Sequence, residues 1–520
     1  MNLYIFSIGG SGVRVLHSLT MLLAAGIKMQ AAKVIPVIID TDETNGNTTT
    51  TLNTIKNYRI ICDTIKLMDG QKTAINKKQV TKTSIFATEI DEPRIITISG
   101  TNFGDLKTIV GENASDIDPE IKKVLRILYN NENLDMPLTY GFIGHPNVGS
   151  VVLSYLFQKN EEFRNTIKGI GSDDKIFLIS SIFGGTGAAG FPLLLNIFNN
   201  SKETGLNKKN NFKGALSVIP YYGVGDNSHS IGNDILDSAK EGDGSKLYKI
   251  DSSLFDAKTF AAQLYYDNYI DGDIDIMYYV GDKKYKSQYA NSLGGENQNN
   301  PAHVVEVYGA LSIIHFDNQK PERISNKDDS NTDAKYSNSI LNSDNTKLTA
   351  GKNEELRNSL IRLWMFRRFY INYLPKKYLD KNPLPSVLQQ IGYTENSYSE
   401  NGTQTFPVNM KAFLNTYKEW AEQLKGIATS ETRFKHDRTF LFVDTSVIPD
   451  DECIHDGFEE YKPKTAKGLF GIKAGIVQSD FLGSLNKVAL KNDITIADVN
   501  TKLVRFAVQV IDDIINNKMN

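Results

Sequence analysis

A glycine-rich segment between two apolar runs most constrains what this chain can fold into. The run 175–182 (KIFLISSI) has the length and composition of a buried strand, and the run 191–198 (FPLLLNIF) is typical of a helix with Pro192 in its first turn. A strand, a glycine-rich loop (184–190, GGTGAAG) and a helix N-terminus together direct backbone N–H groups at an anion, usually a phosphate. The same loop can also make a tight turn without a ligand, so both interpretations stay open here.

Strands and helices alternate over the first 316 residues. A short strand at residues 3–8 leads into Gly9–Gly12 and an apolar helix, and a second apolar strand spans residues 33–39. Continuous apolar runs of this length are typical of parallel strands covered on both faces. The polar, threonine-rich residues 45–51 are predicted to be a loop. This alternation predicts an α/β fold around a parallel sheet, with ligand-binding loops after the strands.

The composition changes after the long apolar helix predicted at residues 300–316. Residues 317–355 are rich in Asn, Asp, Ser and Lys, which is typical of an exposed linker. Beyond it, apolar spacing predicts helices near residues 413–424 and 497–516, and a short strand at residues 439–443. The chain is therefore predicted to comprise an α/β domain (1–299), a central helix (300–316), a polar linker (317–355) and a mostly helical α+β C-terminal domain (356–520).

Composition and charge exclude several classes of function. The formal net charge of −3 provides no global basic field for nucleic acid. The two cysteines, Cys62 and Cys453, lie too far apart for a metal-ligand spacing, which favours plain thiols in a reducing compartment. No run of about 18 apolar residues predicts a membrane-spanning helix. These features predict a soluble cytoplasmic protein without nucleic acid or membrane insertion.

Two common nucleotide-binding motifs are missing or incomplete. The chain has no G-x-x-x-x-G-K-[ST] segment, so a P-loop is excluded. Gly10 and Gly12 match the first two glycines of the dinucleotide fingerprint, but its third position falls on Val15. Asp40 follows the second strand, where Rossmann proteins bind a ribose. A dinucleotide-dependent enzyme therefore stays an alternative.

In chain order, the loops resemble those of the tubulin and FtsZ superfamily. Gly184–Gly190 resembles its G-G-G-T-G-[ST]-G signature, and Gly9–Gly12 resembles its first nucleotide loop. Asp40–Asp42 (DTD) is similar to the Asn-Thr-Asp of the second loop, and Gly144–Gly149 (GHPNVG) to the third loop, which contains N-P-x-V-G in FtsZ. Ile219–Tyr221 occupies the position of the fifth loop. The chain looks like a divergent bacterial tubulin-like protein rather than FtsZ itself.

The resemblance implies that the cofactors are GTP or GDP and Mg²⁺. It implies a magnesium contact through water for Asp42, and base recognition by Asn300 as first choice or His303 as second. Asn300 is equally well explained as a helix N-cap, and His303 as a structural histidine. On this pattern the nucleotide-binding residues are Gly9, Gly10, Ser11, Gly12, Asp40, Asp42, Asn147, Val148, Gly149, Gly184, Gly185, Thr186, Gly187, Ala188, Asn300 and His303.

The resemblance also implies head-to-tail self-assembly into cytoskeletal filaments. In this superfamily, acidic residues after the central helix of one subunit act on the nucleotide of its neighbour, so Asp317 and Glu322 are the catalytic candidates by position. The chain lacks the N-x-D-x-x-D pattern expected there, which leaves GTP hydrolysis open. The alternative is a nucleotide-binding switch or scaffold that does not polymerise.

Overall fold

The computed structural model describes residues 1–42, 44–66, 84–97, 104–110, 118–136, 138, 141–142, 144–224, 252–270, 273–282, 288–289, 295–296, 298–319, 350–399, 405–429, 481–491 and 498–517. Its strands are β1 Leu3–Ile8, β2 Lys33–Ile39, β3 Glu89–Ile90, β4 Arg94–Ile96, β5 Lys175–Ser181, β6 Lys213–Val218, β7 Gly223–Val224, β8 Ile276–Val280 and β9 Gln288–Tyr289. Its helices are α1 Gly9–Ala24, α2 Gly46–Lys66, α3 Leu106–Val110, α4 Pro119–Leu128, α5 Asn131–Leu134, α6 Pro146–Lys159, α7 Glu161–Lys168, α8 Gly185–Asn200, α9 Phe255–Tyr269, α10 Val304–Asn318, α11 Ala350–Arg367, α12 Ser386–Ile391, α13 Glu395–Tyr398, α14 Thr405–Thr429, α15 Phe481–Lys491 and α16 Val499–Asn517. A π-helical segment, Arg368–Leu379, continues α11.

A parallel sheet of seven strands forms the centre of the fold. The strand order is β3–β2–β1–β5–β6–β8, and β4 also pairs with β2. Every residue of β1 and β5 is buried, as expected for strands covered on both faces. In the register of the sheet, Ser7 lies opposite Ile38 on one side and Ile179 on the other. The predicted α/β fold with a parallel sheet is confirmed.

Three predicted loops are in fact the starts of helices. α1 begins at Gly9 and α8 at Gly185, so Pro192 lies inside α8 and not in its first turn. The prediction of a loop at residues 45–51 is wrong, because α2 begins at Gly46. The Asn45 side chain accepts hydrogen bonds from the N–H groups of residues 47 and 48, as an N-cap does. The Thr51 hydroxyl bonds back to the carbonyl of residue 47, which satisfies a polar side chain within the helix.

The central helix α10 connects the two ends of the sheet. It begins at Val304, four residues after the predicted start at residue 300, and ends at Asn318, two residues after the predicted end. His303 and Glu306 form its capping box. The Glu306 carboxylate accepts a hydrogen bond from the His303 N–H, and the His303 side chain accepts one from the N–H of Val305 in the first turn. Its fifteen residues span about 22 Å from the carboxyl ends of the strands to their amino ends.

The described part of the C-terminal region is helical. α14 packs on α2 through the Phe413 and Tyr58 rings, whose centroids are 6.2 Å apart, and Trp420 Nε1 donates to Ser18 Oγ of α1 at 3.3 Å. The predicted linker, residues 317–355, is too long at both ends, because α10 ends at Asn318 and α11 begins at Ala350. The strand predicted at residues 439–443 lies outside the described residues. None of the described helices combines the length and apolar character that a membrane span requires.

Asp317 anchors the end of α10 against the amino ends of two strands. Its Oδ2 accepts hydrogen bonds from the N–H groups of Gln30 and Ala31, and its Oδ1 lies 3.9 Å from Lys175 Nζ. Lys175, the first residue of β5, also donates to the Gln319 carbonyl at 2.8 Å. Both side chains are almost fully buried.

We expect Asp317→Ala to lower the free energy of unfolding by about 3 kcal/mol, because it leaves a buried ammonium and two buried N–H groups without their carboxylate. Urea unfolding followed by circular dichroism measures this loss. Asp173→Ala is the matched control, since this exposed aspartate precedes the same strand. Equal unfolding midpoints for the two variants would contradict the anchoring role of Asp317.

Candidate functional site

A cavity lies at the carboxyl ends of β1 and β5, where the strand order reverses direction. From β1 the chain proceeds to β2 on one side, and from β5 to β6 on the other. In open parallel sheets, this reversal point is the general position for ligand binding. The lining residues are Gly9, Gly10, Ser11, Arg14, Asp40, Asp42, Asn45, Asn47, Gly141, Phe142, Gly144, Ser181, Phe183, Gly184, Gly185, Thr186, Gly187, Tyr222, Phe255, Gln298 and Asn300.

The starts of α1 and α8 lie at this cavity without side-chain caps. Among the described residues, no side chain caps α1 at Ile8 or α8 at Gly184. In contrast, Asn160 caps α7 and His303 caps α10. Uncapped helix N-termini offer free backbone N–H groups and the positive end of the helix dipole. The two helices therefore form a site suited to an anion with several oxygens, such as a phosphate chain.

The glycines of the first loop (Gly9–Gly12) and of the signature segment (Gly184–Gly190) are required for different structural reasons. A Cβ at Gly10 would meet no atom within 4 Å, so this position keeps cavity space open. Gly9 has φ +72° and lies against Thr186, and a Cβ at Gly187 would come within 2.7 Å of the Ser181 nitrogen. Gly12 does not line the cavity but allows α1 to approach the Ile179 carbonyl of β5.

Of the predicted third loop, Gly144–Gly149, only Gly144 is among the lining residues of the cavity, together with two residues that precede the loop. Gly141, Phe142 and Gly144 line it, and both glycines have positive φ, +78° and +77°. Asn147, Val148 and Gly149 do not line it, because α6 already begins at Pro146 and carries them away.

Gly149 of the predicted third loop permits helix packing, and Lys258 provides a positive charge near Gly144. A Cβ at Gly149 would lie 2.7 Å from the Phe142 ring and 2.9 Å from Ala189, so the glycine permits close packing of α6 on α8. Lys258 Nζ of α9 donates to the Gly144 carbonyl at 3.0 Å, which brings an ammonium group to the rim of the third loop.

Two carboxylates follow β2 and line the cavity. Asp42 accepts hydrogen bonds from the Thr44 hydroxyl at 3.2 Å, the Asn45 amide at 3.3 Å and the Gly295 N–H at 2.8 Å. Asp40 accepts one from the Asp42 N–H at 3.3 Å, and burial raises the pKa of Asp40 to about 7. A cation in the cavity would favour the charged form of Asp40. No group of three or more potential metal-ligating side chains occurs among the described residues.

An amide-rich end of the cavity is formed by the start of α2 and the segment before α10. The Asn47 N–H donates to the Gln298 carbonyl and the Asn300 N–H donates to Asn47 Oδ1, both at 3.0 Å. Asn45 Nδ2 donates to Gln298 Oε1 at 2.6 Å. Asn300 lines the cavity, and the N-cap of α10 is His303 and not Asn300.

His303 is buried beneath the cavity and does not line it. Its Nδ1 accepts a hydrogen bond from the Val305 N–H at 3.1 Å, which is the capping contact of α10. Burial, together with the Arg14 guanidinium, lowers the pKa of His303 to about 3, so the imidazole is neutral. This geometry corresponds to the structural interpretation of His303.

Arg14, which sequence reasoning missed, connects the cavity to the central helix. Its guanidinium pairs with Glu306 and donates to the Pro301 carbonyl at 2.7 Å. Tyr221 OH donates to the same Glu306 carboxylate at 3.1 Å. Burial raises the pKa of Glu306, and Arg14 opposes that shift. No motif identifies Arg14, because its partners lie almost 300 residues further along the chain.

An aromatic wall closes the opposite end of the cavity and was also missed. The Phe183 ring lies 4.7 Å from the Phe255 ring and 5.7 Å from the Tyr222 ring, centroid to centroid. Phe183 follows β5 and Tyr222 follows β6. Their positions just after predicted strands could have indicated from the sequence that they lie near the site.

Of the two predicted catalytic residues, the structure describes Asp317, which does not line this cavity. Asp317 lies at the amino ends of the strands, buried and bonded to Gln30, Ala31 and Lys175. Glu322 lies outside the described residues. A contribution of Asp317 to the site of the same chain is excluded by its position at the other end of α10.

Comparison with protein-family models gives no matching family, and no curated protein matches the sequence.

We expect Gly187→Ala to lower the melting temperature by several degrees, because its methyl group would collide with backbone atoms of Ser181. Gly10→Ala adds the same methyl group where no atom lies within 4 Å, so its melting temperature should equal that of the wild type. Differential scanning calorimetry of both variants provides the comparison. A larger loss for Gly10→Ala would contradict the assigned roles of these glycines.

We expect the burial of His303 to lower the free energy of unfolding in acid. Its lowered pKa means that the folded state resists protonation, so its contribution is fully present above pH 6.5 and is lost as the pH falls towards 3. At pH 5 the loss should be about 2 kcal/mol. His303→Asn retains a capping acceptor and should remove this part of the pH dependence. Urea unfolding at pH 7 and pH 5 tests it, and identical pH dependence in both proteins would refute it.

Proposed function

We propose that this chain is a tubulin-like protein that binds GTP or GDP in the cavity at the carboxyl ends of β1 and β5. The observation that carries the proposal is the pair of uncapped helix N-termini, α1 and α8, at one cavity with open space at Gly10. Free N–H groups and two helix dipoles suit a phosphate chain better than a neutral ligand. The order of the loops along the chain, which resembles that of the tubulin superfamily, supports a guanine nucleotide.

In this proposal the phosphates lie between the first turns of α1 and α8. The N–H groups at Gly10, Ser11 and Gly185–Gly187 donate to them, and the Thr186 hydroxyl is a further donor. The third loop contributes its backbone at Gly141 and Gly144 and not at Asn147–Gly149. Asn300 is the candidate for contact with the base, since it lines the cavity at the amide-rich end.

The residues present suit a magnesium ion that accompanies the phosphates. Magnesium is usually held by one or two carboxylates together with phosphate oxygens and water, so a larger cluster of acidic side chains is not required. Asp40 and Asp42 line the cavity, and Asp40 has fewer hydrogen bonds than Asp42 among the described residues. Asp40 would therefore hold the ion together with Asp42. The ion would neutralise phosphate charge.

Head-to-tail assembly of identical subunits is the proposed consequence of nucleotide binding. The cavity and Asp317 lie at opposite ends of the sheet, so stacking subunits end to end would bring one subunit's amino-end surface onto its neighbour's cavity. A heterologous contact of this kind produces open filaments. Nucleotide at the contact would then control the affinity between subunits.

A nucleotide-binding switch that neither polymerises nor hydrolyses GTP is the second candidate. It is favoured by Asp317, whose carboxylate is buried and already bonded to Gln30, Ala31 and Lys175. A residue in this state is not presented to a neighbouring subunit. The strand order and Gly12 also suit a dinucleotide, but a single pyrophosphate requires one helix N-terminus and this cavity has two.

The test combines binding and assembly. We expect GTP with Mg²⁺ to bind the wild type in calorimetry and to increase right-angle light scattering. Gly10→Val should weaken GTP binding at least about tenfold, because the side chain enters the space for phosphate. Gly104→Val is the matched control, since its side chain also meets no atom within 4 Å but lies outside the cavity.

The outcomes separate the candidates. Binding with scattering and phosphate release supports an assembling GTPase, and binding with a flat scattering trace supports the switch. Absence of GTP binding, or equal affinities for Gly10→Val and Gly104→Val, would refute the proposed site. Cofactor absorbance of the purified protein tests the dinucleotide alternative.

A further inference from the structure

A second cavity lies next to the first and shares part of its wall. Arg14, Asn47 and Asn300 line both cavities. The second cavity is open between α2, the segment that leads into α10, and α14 of the C-terminal region. Its remaining lining residues are His17, Thr50, Thr51, Asn53, Thr54, Asn57, Asn299, Ala302, Glu306, Thr416, Glu419, Trp420 and Gln423.

The two helices that flank this cavity face it with matching stripes that are polar except at Trp420. On α2 the stripe is residues 50, 53, 54 and 57, and on α14 it is residues 416, 419, 420 and 423. Both sets have the spacing i, i+3, i+4, i+7 of one helix face. Packed helices normally meet through apolar stripes, as α2 and α14 do at Tyr58 and Phe413. A polar stripe on each side of a cavity is instead suited to a polar ligand.

Several groups around this cavity have hydrogen-bonding capacity left over. Gln423 Oε1 accepts from the Ala302 N–H at 2.8 Å, and its Nε2 has no acceptor among the described residues. His17 Nε2 also has no partner in the described part of the chain. Burial, together with Arg14, lowers the pKa of His17 to about 4, so its ring is neutral. Amides and a neutral imidazole can each both donate and accept hydrogen bonds. They therefore suit the edge of a nucleobase, which carries donors and acceptors, better than a phosphate, which carries mainly acceptors.

We propose that the nucleoside end of the bound nucleotide extends past Arg14 and Asn300 into the second cavity, where α14 forms one wall of the base site. This inference rests on the proposed nucleotide binding in the first cavity. Gln423 contributes a donor to the base or ribose, and the almost fully buried Trp420 supports the wall from behind. Nucleotide exchange then acts directly on a C-terminal helix, because that helix contacts the ligand.

The binding test compares GTP with inorganic tripolyphosphate, which lacks a nucleoside. Gln423→Ala should weaken GTP binding by up to about tenfold, as expected for one lost hydrogen bond, and leave tripolyphosphate binding unchanged. Asn415→Ala is the matched control, because it removes an exposed amide of α14 that does not line the cavity. Its affinities for both probes should equal those of the wild type.

A spectroscopic test does not depend on a loss of affinity. The chain has two tryptophans, both of them buried, and Trp420 borders the second cavity whereas Trp364 does not. In the Trp364→Phe protein, GTP should change the emission of Trp420, and tripolyphosphate should not.

The failures of the two proposals are distinguishable. GTP binding that is unaffected by Gln423→Ala and leaves Trp420 emission unchanged would overturn the second-cavity inference while the first cavity stands. Equal weakening of GTP and tripolyphosphate by Gln423→Ala would overturn it as well, because the residue would then act on the phosphates or the fold. Absence of binding for both probes would overturn the proposed function itself, and this inference with it.

Discussion

Close backbone contact between two helix starts is the constraint on which the rest of this structure depends. α1 and α8 begin directly after the central strands β1 and β5, and Gly9 of one start lies against Thr186 of the other. A side chain at Gly9 would press on Thr186 and so separate the two starts, whereas a side chain at Gly185 would meet Phe142 and one at Gly187 would meet Ser181. Because neither start has a side-chain cap among the described residues, their N–H groups stay available at the cavity. The close approach of the two helix starts therefore determines both the shape of the cavity and the direction in which the two helix dipoles point.

The central helix turns that local geometry into a connection across the molecule. Its first turn is bonded to the cavity wall through Glu306 and Arg14, and its last turn to the amino ends of β2 and β5 through Asp317. Both anchors are buried charged groups, which are costly to separate from their partners. A rigid helix bonded at both ends is suited to relate ligand binding at one end of the sheet to contacts at the other.

The helix α14 brings the C-terminal region to the same site. Its apolar residues pack on α2 and α1, while the polar face with Gln423 borders the second cavity beside Asn300. The C-terminal helices are thus bonded to the segment that leads into the central helix, through the contact between Gln423 and the Ala302 N–H. The second cavity is consequently built by both halves of the chain, whereas the first cavity is lined by residues between Gly9 and Asn300.

The sequence by itself determined the parallel α/β sheet and the position of the glycine-rich segments directly after its strands. Apolar runs and glycine spacing are local patterns, and local patterns suffice to identify buried strands and the turns after them. Tertiary structure alone decided the helix starts, which depend on caps such as Asn45, and the packing role of Gly149, which depends on Phe142 and Ala189. It also decided that Arg14 borders both cavities and Gln423 the second one. Arg14 bonds Pro301, 287 residues away, and Gln423 bonds Ala302, 121 residues away. Contacts over such separations leave no periodicity in the sequence, so only the folded chain brings them together.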